Sequence, residues 1–118
     1  MKAVITYVQE IPCRPRLVDL ALSATLAGQW FSPVVVHTTI DVVRALRMLD
    51  LGVEFRIRER TRLPVWSLHK VQTYAEERDE PFAHLDSDAF VLGPVPERVL
   101  RAPLFAQSPE GPEYYPGI

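Results

Sequence analysis

The sequence predicts an α/β domain with a mostly parallel sheet in βαβαβαβ order. Short β-branched and apolar runs recur at residues 3–8, 34–37, 53–57 and 82–86. Stretches with helical periodicity separate them. Strands that alternate with helices of roughly 10–15 residues pair in parallel through crossover connections.

The first run, residues 3–8, stops at Gln9-Glu10-Ile11-Pro12 and reads as a buried strand. It is too short and too β-branched for a signal peptide. Leu17, Val18, Leu20, Ala21, Leu22, Ala24 and Leu26 are apolar nearly all round, which predicts a helix covered on more than one side and ending near Gly28. Val34-Val35-Val36-His37 is a second buried strand. Thr38 and Asp41 have capping-box spacing, and Ile40, Val43, Leu46 and Leu49 follow with helical period to Gly52. Val53, Phe55 and Ile57 alternate with Glu54, Arg56 and Arg58, the pattern of a strand wet on one face. Pro64 suits a first helical turn, and Leu68, Val71 and Ala75 form an inward stripe to about Arg78. The fourth strand runs from Phe82 to Asp86. Gly93-Pro94-Val95-Pro96 breaks the chain, and Leu104-Phe105-Ala106 suggests a short fifth strand.

Composition bounds the function classes. The 118 residues carry 13 basic and 15 acidic side chains, a net charge of −2, with no basic footprint for nucleic acid. Arg56, Arg58, Arg60 and Arg62 read as a solvated strand edge and loop. Cys13 is the one cysteine, so no intrachain disulfide forms, and a reducing, cytoplasmic location is expected. Nothing in its neighbourhood marks it as a nucleophile. No apolar run reaches the roughly 20 residues of a membrane span.

The chemistry concentrates at Asp86-Ser87-Asp88. Two carboxylates interrupt an apolar stretch, Pro81–Leu85 before and Ala89–Leu92 after, where burial is costly without partners. On an extended chain, side chains two apart share a side. The pair would therefore aim four oxygens at one spot, an arrangement that suits Mg²⁺ or Mn²⁺ and leaves positions for phosphate oxygens. In open parallel sheets ligands bind outside the carboxyl ends of the strands. Asp86 and Asp88 fall at one such end, and Tyr7-Val8 and His37-Thr38 at two others.

The stretch from Trp66 to Val95 resembles the DxD region of GT-A glycosyltransferases, bacterial and capsular-polysaccharide types in particular. Lys70 lies in its helix and His84-Leu85-Asp86-Ser87-Asp88-Ala89-Phe90-Val91 at its end. The earlier strand and helix order, and Leu104 to Glu110 after it, are similar too. The resemblance implies a Rossmann-like, nucleotide-binding half of that fold. It implies a nucleotide-diphospho-sugar ligand and an Mn²⁺ or Mg²⁺ cofactor, with Asp88 ligating directly and Asp86 through water or to the ribose. Tyr7, Val8, Thr38, Lys70, Ser87 and Gln107 would complete the nucleotide-sugar site, with Glu110 near the sugar or acceptor. His84 is conceivable as a third ligand, but a packed or surface histidine is the plainer reading, as it is for His37 and His69. Trp30 and Trp66 read as core or helix-end packing.

Only residues 89–118 follow the pair, and the last eleven, 108–118, look like a fraying tail. The expectation is one incomplete domain over residues 1–118, whose open sheet edge invites a homodimer or a partner chain. Two other classes compete. A non-catalytic α/β interaction module would use the aspartates as turn caps. A haloacid-dehalogenase-type phosphatase also places Asp-x-Asp after an apolar strand, but Ala89-Phe90-Val91 departs from its pattern.

Overall fold

The four β-branched or apolar runs become the four strands of one sheet, and the segments between them become the helices that connect it. The structure, a computed structural model, describes residues 1–9, 13–59, 62–63 and 67–103. Its elements are β1 (Lys2–Tyr7), α1 (Arg14–Ala27), β2 (Val34–Thr38), α2 (Ile40–Leu46), β3 (Glu54–Ile57), α3 (Leu68–Glu77), β4 (Phe82–Leu85) and α4 (Glu97–Arg101). All pairings are parallel and the strand order is β3-β2-β1-β4. The expected Leu104–Ala106 strand and Pro64 turn, with Trp66, Gln107 and Glu110, lie outside the described residues.

That order dictates the layers. The chain steps outward from β1 to β3, then crosses back to place β4 on the other side of β1. Crossovers of one hand running in opposite directions put their helices on opposite faces. Accordingly Ala3, Ile5 and Tyr7 of β1 and Val34 and Val36 of β2 pack with Leu20, Ala24 and Ala27 of α1 and Val42 and Leu46 of α2. Each large member of this apolar core contributes roughly 1.5–3 kcal/mol by leaving water. Alternate residues of β1 and β2 face α3 instead, joined to it by hydrogen bonds, and Phe82 and His84 of β4 meet it through the ring of Tyr74.

Several local expectations are corrected. Thr39, not Thr38, caps α2, with its hydroxyl accepting from the Val42 N–H at 3.5 Å. The Thr38 hydroxyl donates to the Tyr7 carbonyl at 2.5 Å and so ties the ends of β1 and β2 together. α2 ends at Leu46 with Arg47 as its C-cap, short of Gly52 and Leu49. Gly52 takes a positive φ of 64° where the chain bends into β3, a conformation costly for other residues. α1 is covered on one side only, since Val18 is 60% exposed and Leu22 also faces water.

The largest correction concerns α3. Its expected inward stripe points outward: Leu68 is 40% exposed, Val71 57%, and Ala75 is exposed as well. The residues it buries are His69, Thr73 and Glu77, spaced by four along one polar stripe. The physical reason lies in its partner face, because β1 presents Lys2 and Thr6, and β2 presents His37. Polar groups buried there need partners, and only the polar stripe of α3 supplies them. Arg58 belongs to this layer too. It is 6% exposed rather than solvated, whereas Arg56 and Arg62 are exposed and Arg60 lies outside the described residues.

Candidate functional site

Asp86-Ser87-Asp88 forms a turn directly after β4, closed by the Ala89 N–H donating to the Asp86 carbonyl at 3.0 Å. The extended geometry expected here therefore ends at Leu85, and an alternation of two no longer fixes where the Asp86 and Asp88 side chains point. A second tether holds the turn: the Ser23 hydroxyl of α1 donates to the Ala89 carbonyl at 2.6 Å. Both carboxylates reach solvent. Lys70, in the first turn of α3, donates to Asp86 Oδ1 at 2.8 Å.

The location agrees with the topology. β4 lies beside β1, and the strand order reverses between them. Ligands in open α/β sheets bind at such a reversal, outside the carboxyl ends. Tyr7 and Val8 stand at the carboxyl end of β1, but both are buried and Tyr7 belongs to the apolar core. Burial and the neighbouring Cys13 push its phenol above the usual range. Thr38 is fully buried and spends its hydroxyl on Tyr7. The structure thus brings Lys70, Asp86, Ser87 and Asp88 together at the rim and places Tyr7, Val8 and Thr38 beneath it. Cys13 is free and exposed, and Trp30 is partly exposed just beyond α1.

As a cation site the donor set is oxygen only, which suits a hard divalent ion. Among the described residues no group of three or more His, Cys, Asp or Glu side chains is placed to hold a metal. The pair would supply at most two carboxylates, and the remaining ligands would have to be water and phosphate oxygens. Mg²⁺ usually binds in that way, through one or two carboxylates and substrate phosphates.

Beneath the rim lies a polar layer that the sequence reading missed. Its proton positions follow from donor counting. Arg58 Nη2 is 3.0 Å from His37 Nδ1, and a guanidinium only donates, so Nδ1 is the acceptor. His37 is then the Nε2–H tautomer and donates to Glu77 Oε1 at 2.8 Å. Lys2 Nζ donates to Glu77 Oε2 at 2.7 Å, with Glu80 at 3.1 Å. Arg58 also donates to Glu76 Oε1 at 2.9 Å and to Thr73 Oγ1 at 2.9 Å. The Thr73 hydroxyl donates to the His69 carbonyl, and that of Thr6 donates to Thr73, both at 2.9 Å. Thr6 has thereby used its proton, so at 3.0 Å it accepts from the Nε2–H of His84. The ring of Tyr74 meets His84 edge-on, with centroids 5.0 Å apart.

Electrostatics follow this wiring. Burial, reinforced by Lys70, holds His84 down to about 4, so it is neutral near pH 7. Burial and the Arg58 charge likewise lower His37, against the pull of Glu77. Burial alone would raise Glu77, but its bonds from Lys2 and His37 prevail and lower it. Burial opposes the Lys2 charge, yet Glu77 and Glu80 raise it overall. Two signals in the sequence could have exposed the layer: polar residues spaced by four at His69, Thr73 and Glu77, and the polar pair Lys2 and Thr6, which share one face of a strand otherwise largely apolar.

Comparison with known proteins gives a family and no chemistry. The sequence pattern described as "Family of unknown function (DUF6734)" matches residues 53–117, more than half of the chain, from β3 through the Asp-Ser-Asp turn. No curated protein and no solved structure matches.

Proposed function

We propose that this chain, which belongs to the family of unknown function DUF6734, binds the diphosphate of a nucleotide-sugar through Mn²⁺ or Mg²⁺ at its carboxyl rim and serves glycosyl transfer. The observation that carries the reading is the position of Asp86-Ser87-Asp88. It is a two-carboxylate turn at the end of β4, at the point where the strand order reverses. A bound divalent ion would offset the charge that builds on a departing diphosphate. The chain's own part is positional. Ser23 holds the turn against α1, Lys70 holds Asp86, and the Lys70 ammonium stands within reach of an anion bound beside that carboxylate. The lone exposed Cys13 fits a reducing compartment, and we place the reaction in the cytoplasm.

Calorimetry with uridine and guanosine diphosphates tests the reading. One of them is expected to bind more tightly with Mn²⁺ than without, and Asp88→Ala is expected to abolish the difference. Equal affinity with and without the ion, or no binding of either, would rule the reading out.

A second reading, a non-catalytic interaction module, is favoured by one specific observation. α3 turns Leu68, Val71 and the 43%-exposed Tyr74 to solvent, while β4 pairs only with β1 among the described residues. It predicts that nucleotides leave the melting temperature unchanged and that sedimentation detects a dimer.

A further inference from the structure

The layer beneath α3 packs cations and carboxylates around a neutral His37. Its deeply buried ionic groups are Lys2, Arg58 and Glu77; Glu76, bound to Arg58, and Arg56, 4.0 Å from Glu77, flank them with about half of each side chain in solvent. The groups facing His37 come from every neighbouring element: Glu76 and Glu77 of α3, Arg58 and the more distant Arg56 from the β3 side, Lys2 of β1 through their shared Glu77, and His84 of β4. His37 itself is wholly buried.

We propose that His37 and Arg58 are mutually exclusive cations, so that uptake of one proton by His37 expels the Arg58 side chain from the layer. The argument is geometric. A proton on His37 Nδ1 would point at Arg58 Nη2, which is 3.0 Å away and has no lone pair to receive it. The same proton has another acceptor, since Glu76 Oε2 lies 3.5 Å from Nδ1. Glu76 also binds Arg58, through Oε1. Protonated His37 therefore takes over both carboxylates of α3, and the guanidinium, facing a second cation with its own carboxylate shared, departs. An uncompensated buried charge is the costly alternative. The Arg58 backbone stays in place, its N–H donating to the Thr38 carbonyl at 2.7 Å, so only the side chain swings. Because Arg58 follows β3 at its carboxyl end, the displaced charge arrives at the rim of the sheet. The device stands independently of the nucleotide-sugar reading.

Nitrogen-resolved NMR of the whole chain tests the exchange. At pH 7.5 His37 is expected as the Nε2–H tautomer, with slowly exchanging Arg58 guanidinium protons. On acidification the His37 ring and the Arg58 signals are expected to change together, Arg58 moving to rapid exchange. Linkage is reciprocal, so Arg58→Met is expected to raise the His37 titration midpoint by about one pH unit or more. His84→Gln is expected to leave the coupling intact. Titration of His37 with Arg58 unmoved would overturn the proposal. So would an unchanged midpoint in folded Arg58→Met, or loss of the coupling in His84→Gln. Should Arg58→Met fail to fold, the wild-type titration decides alone.

Discussion

Glu77 is the residue on which the polar layer turns. Lys2 and His37 both donate to it, and its carboxylate is nearly inaccessible to water. Glu77→Gln keeps the volume but turns an amide N–H₂ against a donor, and it takes from the Lys2 ammonium its buried counter-charge, leaving only the exposed Glu80 and Asp79. Breaking such a pair from one side costs about 3–5 kcal/mol, a large share of the roughly 5–15 kcal/mol that stabilises a domain. Urea denaturation of Glu77→Gln is expected to show a loss in this range. Lys2→Met in the same background is expected to recover part of it, because the stranded charge goes. Additive losses would mean that the two groups do not form a pair. Nothing at the level of single residues announced this pairing, since Lys2 and Glu77 stand 75 positions apart. The Asp86-Ser87-Asp88 cluster was legible for the opposite reason: its carboxylates are contiguous and interrupt an apolar run.

Elements were legible where one periodicity dominated and obscure where two interleaved. Short β-branched or apolar runs located the four strands to within a residue or two, and with them the parallel order. α3 carries two stripes at helical spacing, apolar Leu68-Val71-Ala75 and polar His69-Thr73-Glu77, and either could have faced inward. The choice depended on which face of the sheet it met, and that is set by strands distant in sequence. α1 posed a similar ambiguity. Its leucines look equivalent in sequence, yet Leu20 is sealed in the core while Leu22 meets solvent. Leu20→Ala is therefore expected to cost about 2–5 kcal/mol, and Leu22→Ala less than about 0.5 kcal/mol. Thermal unfolding of the two variants checks the assignment, and comparable losses would mean that α1 is covered on both sides, as its composition suggested.

At the scale of the whole molecule the two faces of the sheet respond differently to acid. The α1–α2 face is apolar and has little to titrate. The α3 face buries His37 and His84, both held below the ordinary histidine value of 6.5, His84 at about 4. An unfolded chain takes up protons on both as pH falls through 6.5, while the folded chain refuses them. Stability therefore falls with pH from about 6.5 downward, by up to about 1.4 kcal/mol per pH unit for each histidine, and by less for His84, which is partly accessible to water. The His84 contribution levels off near 4, where the folded ring begins to protonate. Glu77 acts in the same direction at lower pH. Its folded carboxyl lies below 4.5, so the stability it adds is complete above that value and is lost as acid reaches the folded group. Urea midpoints measured at pH 7, 6 and 5 are expected to decline steadily, and the double variant His37→Gln, His84→Gln is expected to flatten the decline. A midpoint that stays level between pH 7 and 5 in the wild-type chain would show that the histidines are not buried as neutral donors, and the proton assignments of the layer would fail with it.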